Sequence, residues 1–131
     1  MYKDALVFAF PTYIPLTPSH MLICPIRCVR VIGKLTDKEL LALFALREKI
    51  TAALRHSFGA RGFNYAWNED KVAGQDIPHL HLHVVPRKAG DTGITRYKPC
   101  SFLYRPGPRA PSPEEELRGV SELVRHSLLL N

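Results

Sequence analysis

The chain predicts an α+β domain in which an antiparallel sheet of about five strands carries one long helix on a face. Three observations support this. Residues 36–56 show the apolar spacing and N-terminal cap of an amphipathic helix. Residues 5–10, 20–26 and 62–68 are short runs of strand-forming side chains. Residues 79–84, His-Leu-His-Leu-His-Val, alternate polar and apolar with period two.

A length of 131 residues reads as a single domain, 1–131. With 46% apolar residues a core can form, and at this size it is modest, so contact with a second copy would add burial. No apolar run reaches the length of a membrane span, and Met1-Tyr2-Lys3-Asp4 lacks signal-peptide architecture, which predicts a cytoplasmic protein. Cys24, Cys28 and Cys100 read as reduced thiols; Cys24 and Cys28 lack the second pair that a zinc site needs.

The net charge is +6. Much of it falls in residues 87–110, where Arg87, Lys88, Arg96, Lys98, Arg105 and Arg109 face the single acid Asp91. A basic segment just after the histidine run suits an anionic substrate. No helix-turn-helix, zinc finger or interleaved aromatic pattern accompanies it, so nucleic acid is not the expected partner.

Taken in order, Ala5–Phe10 is the first strand, and Pro11, Pro15 and Pro18 turn residues 11–19 into an ordered loop. The second strand is His20–Ile26, with His20 at its mouth and Pro25 marking an edge or bulge. Thr36-Asp37-Lys38-Glu39 is a capping box that opens the helix. Leu40, Leu43, Phe44, Leu46, Ile50 and Leu54 form its buried stripe; Lys38, Glu39, Arg47, Glu48, Lys49 and Arg55 form its wet side. Gly59 and Gly62 punctuate the exit. In the third strand, 62–68, Phe63, Tyr65 and Trp67 share one face and Asn64, Ala66 and Asn68 the other. The short return through 68–74 makes this strand an antiparallel neighbour of the histidine strand and brings Asn68 near the histidine face.

In that next strand, bracketed by Pro78 and Pro86, His79, His81 and His83 share one face while Leu80, Leu82 and Val84 pack on the other. A row of imidazoles is the material of a nucleophile, a base or a metal ligand near neutral pH. Beyond Asp91, Ile94–Tyr104 is a further strand or a wrap, and residues 105–111 are a linker. Ser112-Pro113-Glu114-Glu115 starts a second helix, from about 113, striped by Leu117, Val120, Leu123, Val124 and Leu128 and weakened by Gly119.

The alternating histidines, with Ala73-Gly74-Gln75 before them and Val85-Pro86-Arg87-Lys88-Ala89-Gly90-Asp91 after, resemble the histidine triad family of nucleotide hydrolases and transferases, closest to its fragile-histidine-triad branch. Pro15-x-x-Pro18-Ser19-His20 is similar to the family's upstream Pro-Gly-His element. The likeness spans about residues 7–91; residues 92–131 diverge.

The resemblance implies a hydrolase or nucleotidyl transferase that cleaves at the α-phosphate of a nucleoside polyphosphate or phosphoramidate, with a purine favoured. It implies that His81 is the nucleophile, its other nitrogen bonded to the backbone carbonyl of His79. His83 would hold phosphate oxygens or help protonate the leaving group, and His20 would lie in the nucleotide cleft. Gln75 would clamp the phosphates. Asn68 stands where the branch has a ribose-binding glutamine, and Thr12 where it has a ribose-binding asparagine. Phe8 and Ile23, with Val7 and Phe10, are candidates for the base pocket. No cofactor is implied beyond Mg2+ carried with the nucleotide, and no metal on the triad. A two-fold homodimer through the long helix and the neighbouring strand is implied. Two departures stand out: Asp76 replaces the serine or threonine after Gly-Gln, and Thr12 replaces the ribose-binding asparagine.

Two rival readings of the histidine row stay open. One is a zinc-dependent hydrolase, with His81 and His83, or His79 and His81, joined by His20 as ligands. The other is a non-catalytic nucleotide-binding or sensor protein, told apart by whether a phosphohistidine forms at His81.

Overall fold

The computed structural model describes residues 1–91 and 113–130. Strands β1 (Tyr2–Lys3), β2 (Val7–Pro11), β3 (Met21–Pro25), β4 (Gly62–Ala66) and β5 (Leu82–Arg87) form one sheet in the order β1-β2-β3-β5-β4, with every adjacent pair antiparallel. Helix α1 (Asp37–Phe58) lies between β3 and β4 in the chain, and α2 (Glu114–Leu130) follows β5. The α+β expectation and the five-strand count both hold. The edge strand β1 is one the sequence reading missed, because two residues show no alternation. The expected strand within Ile94–Tyr104, the linker at 105–111, Cys100 and the Ser112 cap lie outside the described residues.

Helix α1 begins as its sequence dictates. The Thr36 side chain accepts from the Glu39 N–H at 3.2 Å, and Glu39 Oε2 accepts from the Thr36 N–H at 2.8 Å. It ends at Gly59, whose φ of 64° is the left-handed cap that glycine adopts freely. Leu43, Leu46, Ile50, Ala53 and Leu54 drive into the sheet face made by Val7, Ala9, Met21, Ile23, Leu82 and Val84. Helix α2 adds Val124 to this core, with Val120 and Leu128 packed against it.

Two assignments on α1 change. Glu39, expected on the wet side, is buried, because Arg27 reaches in from the β3–α1 connection and donates from Nε and Nη2 at 2.9 and 2.8 Å. The guanidinium hydrogen bond, and then the Thr36 N–H, hold the Glu39 carboxyl down to about 2. Phe44, expected in the buried stripe, is 38% exposed. Its turn faces the sheet edge, where the Arg47 guanidinium lies 5.6 Å from the Phe44 ring and 5.0 Å from Tyr65.

The histidine strand also needs correcting. It begins at Leu82, so His79 and His81 precede it. Pairing of β5 with β3 runs only from Met21↔Val84 to Ile23↔Leu82, after which β3 ends at Pro25. Upstream, the backbone is held singly: the Leu80 N–H donates to the Val29 carbonyl at 2.7 Å. The alternation survives without a ladder, since Leu80, Leu82 and Val84 are all buried. Pro86 lies inside β5, where β3 is no longer a neighbour, an edge-like position that a proline tolerates. Among the described residues, no helix is long and apolar enough to cross a membrane.

Candidate active site

The register divides the sheet into two faces. Leu22 and Ala66 lie opposite His83, and Phe8 and Phe10 lie opposite Cys24 and Leu22. These side chains therefore share the face turned away from α1. Val7 and Ile23, fully buried, point to the α1 side. Ile23, and Val7 with it, is thus core and does not line the histidine face; strand parity puts Leu22 and Cys24 there instead. Phe8 and Phe10 stack at 5.8 Å between centroids, and Phe8 meets the His79 ring edge-on at 6.2 Å. Burial raises the Cys24 thiol to about 12, so it stays protonated and is no nucleophile.

The hydrogen bonds assign the imidazole protons. His81 Nδ1 is 2.9 Å from the His79 carbonyl. A carbonyl only accepts, so Nδ1 carries the proton, and in the neutral ring Nε2 keeps its lone pair. His79 Nε2, 2.7 Å from the Pro25 carbonyl, must likewise donate. This bond replaces the strand pairing that β3 lacks there.

His20 is only 1% exposed. The Leu16 N–H donates to its Nδ1 at 3.0 Å, which leaves the His20 proton on Nε2, 2.9 Å from His83 Nδ1. His83 Nδ1 therefore accepts, and its own proton sits on Nε2. The rings of His81 and His83 are 5.1 Å apart, as are those of His20 and His83. His81 Nε2 thus carries a lone pair beside a ring whose Nε2 carries a proton.

The other expected contacts are distributed as follows. Gln75 is buried, its Oε1 accepting from the Asp70 N–H at 2.9 Å and its Nε2 donating to the Arg30 carbonyl at 2.8 Å. Asn68 follows β4, and its Nδ2 donates to the Gly74 carbonyl at 3.3 Å. The amides of Gln75 and Asn68 both shape the 68–75 loop that leads into the histidines. Thr12 gives its N–H to the His20 carbonyl at 3.0 Å. Asp76 is exposed. After β5, Arg87 clasps Asp91 from Nε and Nη2 at 2.9 and 2.7 Å and reaches Asn64 Oδ1 at 3.0 Å, which closes the turn through Gly90. Sequence reading missed the Leu16 N–H and the Pro25 carbonyl, since a backbone group has no residue signature. Leu22 and Cys24 were within reach by counting in twos along β3. Among the described residues, no group of three or more His, Cys, Asp or Glu is set to hold a metal ion.

Fold and site together define a class: an antiparallel sheet presenting one imidazole with a free nitrogen beside a second held as a donor. The HIT domain model matches residues 1–90, and the chain belongs to that family. It is 37% identical over 126 residues to the nitrilase and fragile histidine triad fusion protein NitFhit of Caenorhabditis elegans, covering 95% of this chain and 29% of that protein. It is 35% identical over 90 residues to the bis(5'-adenosyl)-triphosphatase of Dictyostelium discoideum, covering 69% of this chain and 60% of that one. The chain thus spans less than two thirds of the length of these curated relatives. Among solved structures, a Hit-like protein involved in cell-cycle regulation from Bartonella henselae superposes with a TM-score of 0.79 at 25% identity, covering 96% of this chain and 83% of that one.

Proposed function

We propose that the chain hydrolyses a nucleoside polyphosphate at its α-phosphate through a nucleotidyl-His81 intermediate. The observation that carries the reading is the His81 Nδ1–H bond to the His79 carbonyl, which leaves Nε2 as a nucleophile. Nε2 attacks the α-phosphorus, a P–N bond forms, and the bond from phosphorus to the bridging oxygen breaks. The leaving phosphate departs with that electron pair. Water then attacks the same phosphorus, the P–N pair returns to Nε2, and a nucleoside monophosphate is released, with the water's proton passing to solvent. His83 Nε2–H donates to the phosphate oxygens as charge builds on them. Phe8 and Phe10 supply an apolar surface for a purine, beside His79.

The proton assignment also bears on the leaving group. A neutral His83 is a hydrogen-bond donor but a poor acid. A phosphate leaves without a proton near neutral pH, whereas an amine does not. Phosphoanhydrides are therefore the better substrates, ahead of phosphoramidates. The likeness to a bis(5'-adenosyl)-triphosphatase supports the same choice. Rates across diadenosine polyphosphates, adenosine phosphoramidate and nucleotidyl sugars test it. Flat rates across the panel would sink the hydrolase reading, and turnover retained after full metal removal would exclude the zinc-dependent one.

The same reading includes a homodimer through α1 and β4. Leu41, Phe44, Tyr65 and Trp67 are exposed large apolar side chains on these elements or just beyond them. Sedimentation of dilute protein as a monomer would remove the dimer.

A further inference from the structure

Helix α2 lies outside residues 1–90, the stretch that matches the HIT domain. Its first turns nevertheless stand against the loop that carries His20. Leu117 and Val120 line one cavity of about 10 Å³ together with Pro15, Pro18, Ser19 and His20. A space that small takes at most one water molecule, so its walls are nearly in contact.

That loop needs outside support. It has no regular secondary structure between Thr12 and His20, and its two prolines, Pro15 and Pro18, cannot donate backbone hydrogen bonds. It is tied by the Thr12 N–H to the His20 carbonyl at 3.0 Å, the His20 N–H to the Thr17 carbonyl at 3.2 Å and Thr17 Oγ1 to the Pro86 carbonyl at 2.9 Å. Ser19 holds a φ of 70°, and its buried hydroxyl has no hydrogen-bond partner among the described residues. Both are unfavourable, so the surroundings impose this loop shape. Val120 is anchored in turn, because it packs against the main core.

We infer that α2 is a positioning element for the histidine relay. Leu117 and Val120 press the 15–20 loop into the one shape in which the Leu16 N–H meets His20 Nδ1. That bond sets the proton on His20 Nε2 and hence the proton on His83 Nε2. The inference rests on His83 acting as the donor described under Proposed function. It makes turnover depend on residues beyond the matched region.

The test is Leu117→Ala in two backgrounds, read two ways. The first readout is the imidazole nitrogen–proton NMR spectrum at one fixed pH. Parent His83 should show a single Nε2–H tautomer, and Leu117→Ala a mixture. The second is turnover of a diadenosine polyphosphate. Leu117→Ala should lower kcat about fivefold with little change in KM, and by less than about twofold when His20 is already alanine, as expected for residues acting through one another. Equal losses in both backgrounds, with an unchanged His83 spectrum, overturn the inference. If Leu117→Ala does not fold by circular dichroism, Leu117→Val, a smaller truncation, is read in the same two ways. The spectrum requires no substrate, so a protein inert to every nucleotide would defeat the hydrolase reading while leaving this test intact.

Discussion

His81 and His20 serve one site but are held by opposite means. His81 is half-buried, and its proton is assigned by a carbonyl two residues back in the chain. His20 is buried to 1% exposure and bonds a ring 63 residues away, with its own tautomer set by a loop N–H. The first arrangement is local, so it survives changes elsewhere. The second exists only while the β3–β5 register, the proline loop and α2 are all in place. The proposed nucleophile is thus the robust part of the site, and the proposed donor is the part that reports on the fold.

The largest expected effect separates chemistry from folding. His81→Asn should lower turnover by at least about three decades, on the order of 4 kcal/mol of barrier, with thermal midpoint and nucleotide affinity near the parent's. Single-turnover kinetics with a quenched trap for nucleotidyl-protein read it. An adduct that still accumulates removes His81 as the nucleophile.

His20→Ala should do both kinds of damage. It leaves the Leu16 N–H and His83 Nδ1 without the partners described, at a cost of about 1–3 kcal/mol in stability. Turnover should fall between about tenfold and a hundredfold, the range for a lost orienting or donating group. Urea unfolding beside steady-state rates tests the contrast, and a parental unfolding midpoint would break it.

Ser19→Gly acts in the opposite direction. It removes a side chain that a left-handed φ disfavours, and a buried hydroxyl with no partner among the described residues. The gain should be about 1 kcal/mol after the entropy of an added glycine, seen as a higher melting temperature. A lower one would show that the hydroxyl has a use in the fold.

The smallest effect at neutral pH lies far from the site. Pairing with Arg27 lowers the Glu39 carboxyl from 4.5 to about 2 in the folded chain. A lowered value means that the contribution is complete above about pH 4.5 and is lost as pH falls toward 2. Glu39→Gln should therefore flatten the acid limb of stability between those values and leave the His83 spectrum at neutral pH unchanged. An identical acid limb in the parent and the variant would show that the pair contributes nothing there.

Much of this could be read from residues alone. The Thr36–Glu39 box, the Gly59 cap, the period-two burial of Leu80, Leu82 and Val84, and the antiparallel pairing of β4 with β5 are consequences of local chemistry, and each appears as read. The errors fall where a neighbour decided. Glu39 has a charged residue's composition but lies where Arg27 can reach it. Phe44 has the spacing of a core residue but sits at the sheet edge beside Arg47 and Tyr65. The histidine strand starts late because its pairing with β3 stops at Ile23↔Leu82, two residues before β3 itself ends, and nothing within 79–81 announces that.

The site divides along the same line. Sequence by itself determined that three imidazoles share a face, that apolar residues pin them from behind, and that His81 stands in the middle, because side-chain direction in extended backbone is a matter of parity. Only the tertiary structure decided which nitrogen of His79, His20 and His83 holds a proton. Those assignments come from the Pro25 carbonyl, the Leu16 N–H and the His20 ring, groups brought together by strand register and loop packing. Hydrogen bonding needs approach to within about 3 Å, and only the folded chain fixes distances that short between residues far apart in sequence.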